Sequence, residues 1–309
     1  MKRPNTALTC DEYARMLISD VLILGHKKTE VGEIVGHVIR SVGTARSFRQ
    51  CVCDFLNWRV AGGMSIEAPI TRSEIVTYLH QESKRWRQKT LDQHRQALSL
   101  VFCLALARFD AEIPTVAVGR AYSLEEMELV AKRQTARNAL ATRIAFHSGL
   151  RAAESLELRE QHELTAEANR PWRSDLFLGS PDGVIYRTRG KGGLARSVLV
   201  PVELHEQLQM RRLDTPVTVI DREVRRTVHF DVGGGQNLSQ SFSAASDRAL
   251  GYSMGFHGLR HAYAQGRLET LLAMGLDSMD CLEIVSQILG HRRLEISLAY
   301  TTRRKSHAE

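Results

Sequence analysis

Apolar residues recur at near-helical spacing through most of this chain, and in one tract, residues 172–200, the period drops from 3.6 to 2. Nothing else in the sequence restricts the fold as much. A helix buries a stripe at i, i+3, i+4 and i+7, whereas a strand buries alternate residues. The pattern therefore predicts a mainly α chain with a small antiparallel β-sheet. Val184, Tyr186 and Thr188 alternate in one strand, and Val198 and Val200 in a second. Gly190-Lys191-Gly192-Gly193 joins them as a hairpin turn. Residues 215–238 combine β-branched residues, several arginines and Gly233-Gly234-Gly235, and read as a strand followed by a flexible loop. From Ser239 onward the pattern is helical again.

The helical stretches fall into two groups. Tyr13, Met16, Leu17, Val21 and Leu24 predict an amphipathic first helix. Thr44 suits the cap of a second, with Phe48, Val52, Phe55 and Leu56 on one face and Gly62-Gly63 at its end. Thr71 and Glu74 form a capping box ahead of Ile75, Tyr78 and Leu79. The basic run Lys84 to Thr90, with Trp86 inside it, leads into a helix bearing Leu91, His94, Leu98, Val101, Phe102 and Ala105. Pro114 to Arg120 breaks the pattern. Ser123 and Glu126 then make a second capping box, a helix with Ile144 and Phe146 ends near Gly149, and a further helix carries Glu154, Leu156 and Leu158. The expected division is a helical N-terminal domain over 1–112, a linker over 113–121 and an α+β domain over 122–309.

Charge points to a class of partner. A formal net charge of +7 suits a polyanion, of which nucleic acid is the commonest. Cys10, Cys51, Cys53, Cys103 and Cys281 are odd in number and lack zinc or disulfide spacing, so reduced thiols are expected. The apolar run Met16 to Gly25 is broken by Asp20 and too short to span a bilayer, and no cleavage site follows it. The expected location is the cytoplasm, with no membrane contact.

The residues with chemistry in them cluster late. His257-Gly258-Leu259-Arg260-His261 is followed by Gly290-His291 and then Tyr300. A phosphodiester under attack gathers negative charge on its non-bridging oxygens, and the planar fork of arginine is shaped to grip them. Arg151 and Arg260 are the candidates for that clamp. Tyr300 is the candidate nucleophile; its phenol, with an ordinary pKa near 10, needs a base or nearby positive charge. His257 is placed to take the proton and His291 to bond a phosphate oxygen. The leaving oxygen needs a proton, which lysine can give up and arginine cannot. Lys191, at the glycine-flanked turn, is the only lysine between Lys132 and Lys305. No metal or cofactor is required. Singly, each residue has another explanation: a helix-dipole or surface ion pair for Arg151, turn solubility for Lys191, satisfied interior histidines, a core aromatic for Tyr300. Their order and spacing together favour the phosphodiester chemistry.

On these residues the chain resembles the tyrosine recombinases, the phage-type integrases and bacterial site-specific recombinases. The first box of that family is similar to Gly149-Leu150-Arg151-Ala152-Ala153-Glu154, its hairpin box to Arg189 through Pro201, its third to His257 through His261, and its last to Leu289-Gly290-His291 with Tyr300 nine residues on. Residues 44–109 resemble its helical core-binding domain, so the likeness spans roughly 30–301. It implies catalysis by Arg151, Lys191, His257, Arg260, His291 and Tyr300, with Glu154 and His261 supporting the site. It implies DNA cleavage and rejoining through a 3′-phosphotyrosyl link for integration, excision or resolution of a mobile element. It also implies a C-shaped clamp on double-stranded DNA bearing inverted repeats, and a homo- or hetero-tetramer on two duplexes. Lys84, Arg85, Arg87 and Lys89, and near the nucleophile Arg292 and Arg293, are candidate DNA contacts. The alternatives are an accessory DNA-binding factor of the same fold and a type IB topoisomerase-like nicking and resealing enzyme. Three features depart from the family pattern: His291 lies 31 positions after Arg260, Leu194 replaces a basic residue, and nine residues follow Tyr300. No separate arm-binding domain is expected before residue 40.

Overall fold

A computed structural model of the chain describes residues 8–24, 38–114, 119–166, 170–291, 298 and 300, and for Lys191 the backbone only. The chain divides into two compact units, Met1–Val116 and Ala117–Glu309. The first is helical: α1 (Cys10–Asp20), α2 (Val42–Ala61), α3 (Arg72–Glu82) and α4 (Gln88–Val101). Its core is Val52, Phe55, Leu56, Ile75, Tyr78, Leu79, Leu91 and Leu98. The Thr71–Glu74 capping box opens α3 as the sequence predicts. The cap of α2, however, is Ser41, whose Oγ accepts the Thr44 N–H at 3.1 Å, so the helix starts earlier than a Thr44 cap implies. In α1 the buried residues are Ala14 and Ile18, while Met16 is 52% exposed because it lies two residues, about 200° of helix, from each. Phe102 caps α4, and the left-handed Cys103 turns the chain before Ala105. Lys84, Arg85, Arg87 and Lys89 are exposed around the α3–α4 turn, with the Trp86 ring packed 4.0 Å from that of His94.

The second unit carries α5 (Leu124–Ala131), α6 (Ala136–Ser148), α7 (Ala152–Ser155), β1 (Arg159–Glu160), β2 (Gly183–Arg189), β3 (Ala195–Pro201) and α8 (Val202–Gln209), followed by β4 (Arg212–Asp221), β5 (Val224–Phe230), α9 (Gly235–Leu250), α10 (His257–Ala273) and α11 (Ser278–Ile288). The mainly α class with small antiparallel sheets is as the periodicity implied. β1, β2 and β3 form one sheet, with Tyr186 opposite Val198 and Thr188 opposite Arg196. Tyr186, Val198 and Val200 are buried against α6 and α9 residues in one core, while Val184 is 37% exposed.

Three sequence expectations change here. The helix carrying Glu154 is a single turn, with Leu156 as its C-cap and Leu158 beyond it. Residues 215–238 hold a second two-stranded sheet, β4–β5, rather than one strand. Gly233 to Gln236 is bonded rather than free: Gly233 N–H donates to the Arg137 carbonyl at 3.1 Å and Gln236 N–H to Asp221 Oδ1 at 2.8 Å. Among the described residues no helix is long and apolar enough to cross a membrane.

Candidate active site

α6 ends on Gly149, whose backbone is left-handed (φ 64°). A side chain there would place its Cβ 2.5 Å from the Tyr263 ring, so only glycine fits the turn. The turn delivers Arg151 as the N-cap of α7, with Glu154 three residues on. Glu154 is 2% exposed and gathers three guanidinium groups. Its Oε1 accepts from Arg151 Nη1 at 2.6 Å, and its Oε2 from the Arg151 backbone N–H at 2.9 Å and Arg196 Nη2 at 2.7 Å. Arg260 Nη1 stands 3.5 Å from the same Oε2. Burial would raise this carboxyl, but Arg196, Arg260 and Arg151 overcome it and hold the group ionised, well below the usual carboxylate range. One carboxylate against three guanidiniums leaves the cluster about two positive charges in excess.

The first turn of α10 brings His257, Arg260 and His261 together. Arg260 is fully buried; its Nη1 donates to the Gly149 carbonyl at 2.6 Å and its Nη2 to the Leu289 carbonyl. The same Nη2 lies 3.4 Å from His291 Nε2, and since arginine only donates, that nitrogen accepts. Burial, opposed by Glu154, draws Arg260 down to about 10.

Tyr300 is 4% exposed and sits among three imidazoles. Its Oη is 3.2 Å from His257 Nε2, and its ring is 4.4 Å from that of His261 and stacked 5.4 Å from that of His291. Gln265 Nε2 donates to its carbonyl at 2.9 Å. His257 is exposed at the surface, yet the protein packed around the imidazole, followed by the charges of Arg260, His261, Arg151 and Arg120, pushes it down to about 4. Burial first, then Arg120 and Arg260, puts His261 at about 4. Burial, then Arg260, Arg151 and Arg196, puts His291 at about 3. All three rings are therefore neutral near pH 7 and able to accept a proton.

Arg151, Glu154, His257, Arg260, His261, His291 and Tyr300, named from the sequence, thus lie in one contiguous cluster. The turn Lys191–Gly193 adjoins it: Thr188 Oγ1 donates to the Glu154 carbonyl at 2.8 Å, and a Cβ on Gly190 would meet Glu154 Oε1 at 3.0 Å. Arg292 and Arg293 lie outside the described residues. Lys84, Arg85, Arg87 and Lys89 belong to the first unit, where Arg85 Nε pairs with Glu82 at 3.2 Å. Sequence reasoning missed Arg196, Arg120 and Arg170, the last donating from Nη2 to the His291 carbonyl at 2.5 Å. Arg196 did carry a signal: it falls two and four residues before the inward-facing Val198 and Val200. Among the described residues no group of three or more His, Cys, Asp or Glu is placed to hold a metal ion.

The fold is that of the tyrosine recombinases. A XerH site-specific recombinase bound to a palindromic difH substrate, in a post-cleavage complex, superposes with a TM-score of 0.57 at 15% identity, over 96% of this chain and 91% of that one. A lambda integrase tetramer bound to a Holliday junction gives a TM-score of 0.56 at 14% identity, over 99% of this chain and 81% of that one. A lambda integrase dimer bound to a COC′ core site gives 0.54 at 16% identity, over 97% and 79%. No protein-family model matches the sequence, and no curated protein matches it.

Proposed function

We propose that this protein, which has the tyrosine recombinase fold, is a site-specific recombinase that cleaves and rejoins DNA strands through a 3′-phosphotyrosyl intermediate. The observation that carries the reading is the Tyr300 hydroxyl held at a neutral imidazole, within a cluster whose positive charge exceeds its negative charge by two, with Arg196 and Arg260 buried and Arg151 part-exposed. Surplus buried charge is costly unless an anion arrives to share it. A phosphodiester supplies that anion, and its charge grows as the phosphorus becomes five-coordinate, so the arginines stabilise the transition state more than the ground state.

In this scheme the Tyr300 oxygen attacks phosphorus and its proton passes to His257 Nε2. The bond from phosphorus to the 5′-oxygen breaks, and Lys191 protonates that oxygen as it leaves. Arg151 and Arg260 hold the non-bridging oxygens, with His291 beside Arg260 on the same side. The 3.4 Å contact from Arg260 to His291 is long enough to yield to a phosphate oxygen. Glu154 and His261 keep these groups in register. Rejoining runs the steps in reverse with a different 5′-hydroxyl. The N-terminal unit contacts DNA through Lys84, Arg85, Arg87 and Lys89, and Arg292 and Arg293 do so near the nucleophile.

In this reading four subunits assemble on two duplexes that bear inverted repeats and act in the cytoplasm on integration, excision or resolution; the lambda integrase tetramer on a Holliday junction supports the four subunits, and the palindromic substrate of XerH the inverted repeats. The test is a nicked duplex built on inverted repeats from the DNA flanking the protein's coding sequence. Wild type is expected to form a covalent adduct that Tyr300→Phe abolishes. An adduct of equal yield from both proteins removes Tyr300 as the nucleophile, and none from either favours an accessory DNA-binding role.

A further inference from the structure

We infer that Arg196, a residue outside the reacting set proposed above, is the positioning residue that fixes the spacing of Arg151, Arg260 and His291; the inference rests on the recombinase reading. Arg196 is 1% exposed on β3, and both its terminal nitrogens are committed to protein oxygens. Its Nη1 donates to the Ile288 carbonyl at 2.6 Å, at the C-terminal end of α11. Its Nη2 donates to Glu154 Oε2 at 2.7 Å and to the Gly149 carbonyl at 3.4 Å. The guanidinium thus ties together three segments: the Gly149–Glu154 turn that presents Arg151, the hairpin that carries Lys191, and the end of α11 that leads into His291. The chain before His291 also rests on the arginine stem. Gly290 is left-handed (φ 70°), and a Cβ there would lie 3.0 Å from Arg196 Cδ.

The charge geometry gives this bridge a consequence for the reaction. Arg196 is the nearer guanidinium on Glu154 Oε2, at 2.7 Å against 3.5 Å for Arg260. It satisfies that oxygen and leaves Arg260 the weaker hold, so Arg260 stays anchored on the Gly149 and Leu289 carbonyls with its long Nη2 contact to His291 available to a phosphate oxygen. Arg196 is also the foremost of the charges keeping Glu154 ionised against burial. Without it, Glu154 takes up protons at higher pH and Arg260 is drawn onto the vacated oxygen.

The test measures single-turnover adduct formation on the nicked duplex against pH, with duplex affinity and its salt slope, for Arg196→Met and Arg196→Lys. Arg196→Met is expected to slow cleavage by about 100-fold, the scale on which small misplacements of reacting groups act. Its affinity should stay within about 3-fold and its salt slope should be unchanged, because a guanidinium whose terminal donors serve Ile288, Glu154 and Gly149 neutralises no phosphate. The acid limb of its rate should lie at higher pH than that of wild type, since Glu154 keeps only Arg260 and Arg151 against burial. Arg196→Lys restores a charge beside Glu154, so it should return the acid limb toward that of wild type while remaining slower.

If Arg196→Met does not fold, Arg196→Lys is read alone. Wild-type rate and pH profile in the folded variants would overturn the inference, and so would a salt slope shallower by about 1, which marks a direct phosphate ligand. In DNA-free protein, the His291 ring resonances should shift in Arg196→Lys; unshifted resonances overturn the positioning role whatever the activity. Tyr300→Phe on the same duplex separates the two ideas: loss of the adduct there with unaffected Arg196 variants defeats only the positioning role.

Discussion

Replacing Glu154 by glutamine keeps the shape of the side chain and removes its charge from among three guanidiniums. Glu154 and Arg196 are 2% and 1% exposed, and Arg260 is fully buried, so solvent screens little of the change. The glutamine amide has one donor end, and both carboxylate oxygens now face donors, Arg151 Nη1 at 2.6 Å on one side and Arg196 Nη2 at 2.7 Å on the other. Whichever way it turns, it opposes an N–H with an N–H. Removing one partner of a buried ion pair costs about 3–5 kcal/mol, because the remaining charge stays buried and unpaired. For a unit of the size of Ala117–Glu309, each kcal/mol shifts the melting temperature by about 2–4 °C. Glu154→Gln should therefore lower the transition of that unit by about 6–20 °C in scanning calorimetry at pH 7 and low salt. Sulfate should stabilise the variant more than wild type, since three guanidiniums then share one anion without internal competition. A melting shift under about 2 °C, or equal gains from sulfate, would refute the surplus-charge reasoning.

Other consequences are open to measurement. Burial, aided at the site by neighbouring arginines, holds His261 at about 4 and His291 at about 3, and burial holds His94 in the first unit at about 4. These values lie below the unfolded histidine range near 6.5, so their contribution is complete above that pH and is lost as pH falls toward 4. The melting temperature should drop between pH 7 and pH 5, and a flat or rising trend contradicts the burial of these rings. Lys191→Ala should slow cleavage, and a 5′-thio leaving group should recover it, because sulfur needs little protonation; no recovery removes Lys191 from the acid role. Substituting Lys84, Arg87 and Lys89 with alanine should make the log–log salt slope of DNA binding shallower by about 0.9 for each phosphate that is no longer neutralised, and an unchanged slope takes them off the DNA.

What the sequence revealed depended on how local the causes are. The Thr71–Glu74 and Ser123–Glu126 boxes were legible because each reciprocal bond lies within four residues. The β4–β5 hairpin was not, for two reasons. Much of β4 is exposed on both faces, so it shows no alternation, and its turn places Arg222 (φ 49°) and Glu223 (φ 65°) where glycine or asparagine would announce a hairpin. Ser41 and Thr44 are both hydroxyl residues, and the bond between Ser41 Oγ and the Thr44 N–H chooses between them. The proposed reacting set was readable as residue types in order, and Glu154 and His261 through the family resemblance, but the long-range contacts that hold them were not. Arg196 meets Glu154 from 42 positions away and Arg260 meets Gly149 from 111, distances across which no periodic pattern speaks. A cation on the buried face of a strand is the one sign of that support the sequence offered.

The central idea is that the phenolic oxygen of Tyr300 becomes bonded to DNA phosphorus. The most direct measurement is mass spectrometry of the adduct trapped on a nicked duplex, after proteolysis and nuclease digestion. The expected result is a nucleotide attached through its 3′-phosphate to the peptide containing Tyr300, with fragment ions that place it on that side chain. Attachment to any other residue, or a trapped complex with no covalent nucleotide, would contradict it.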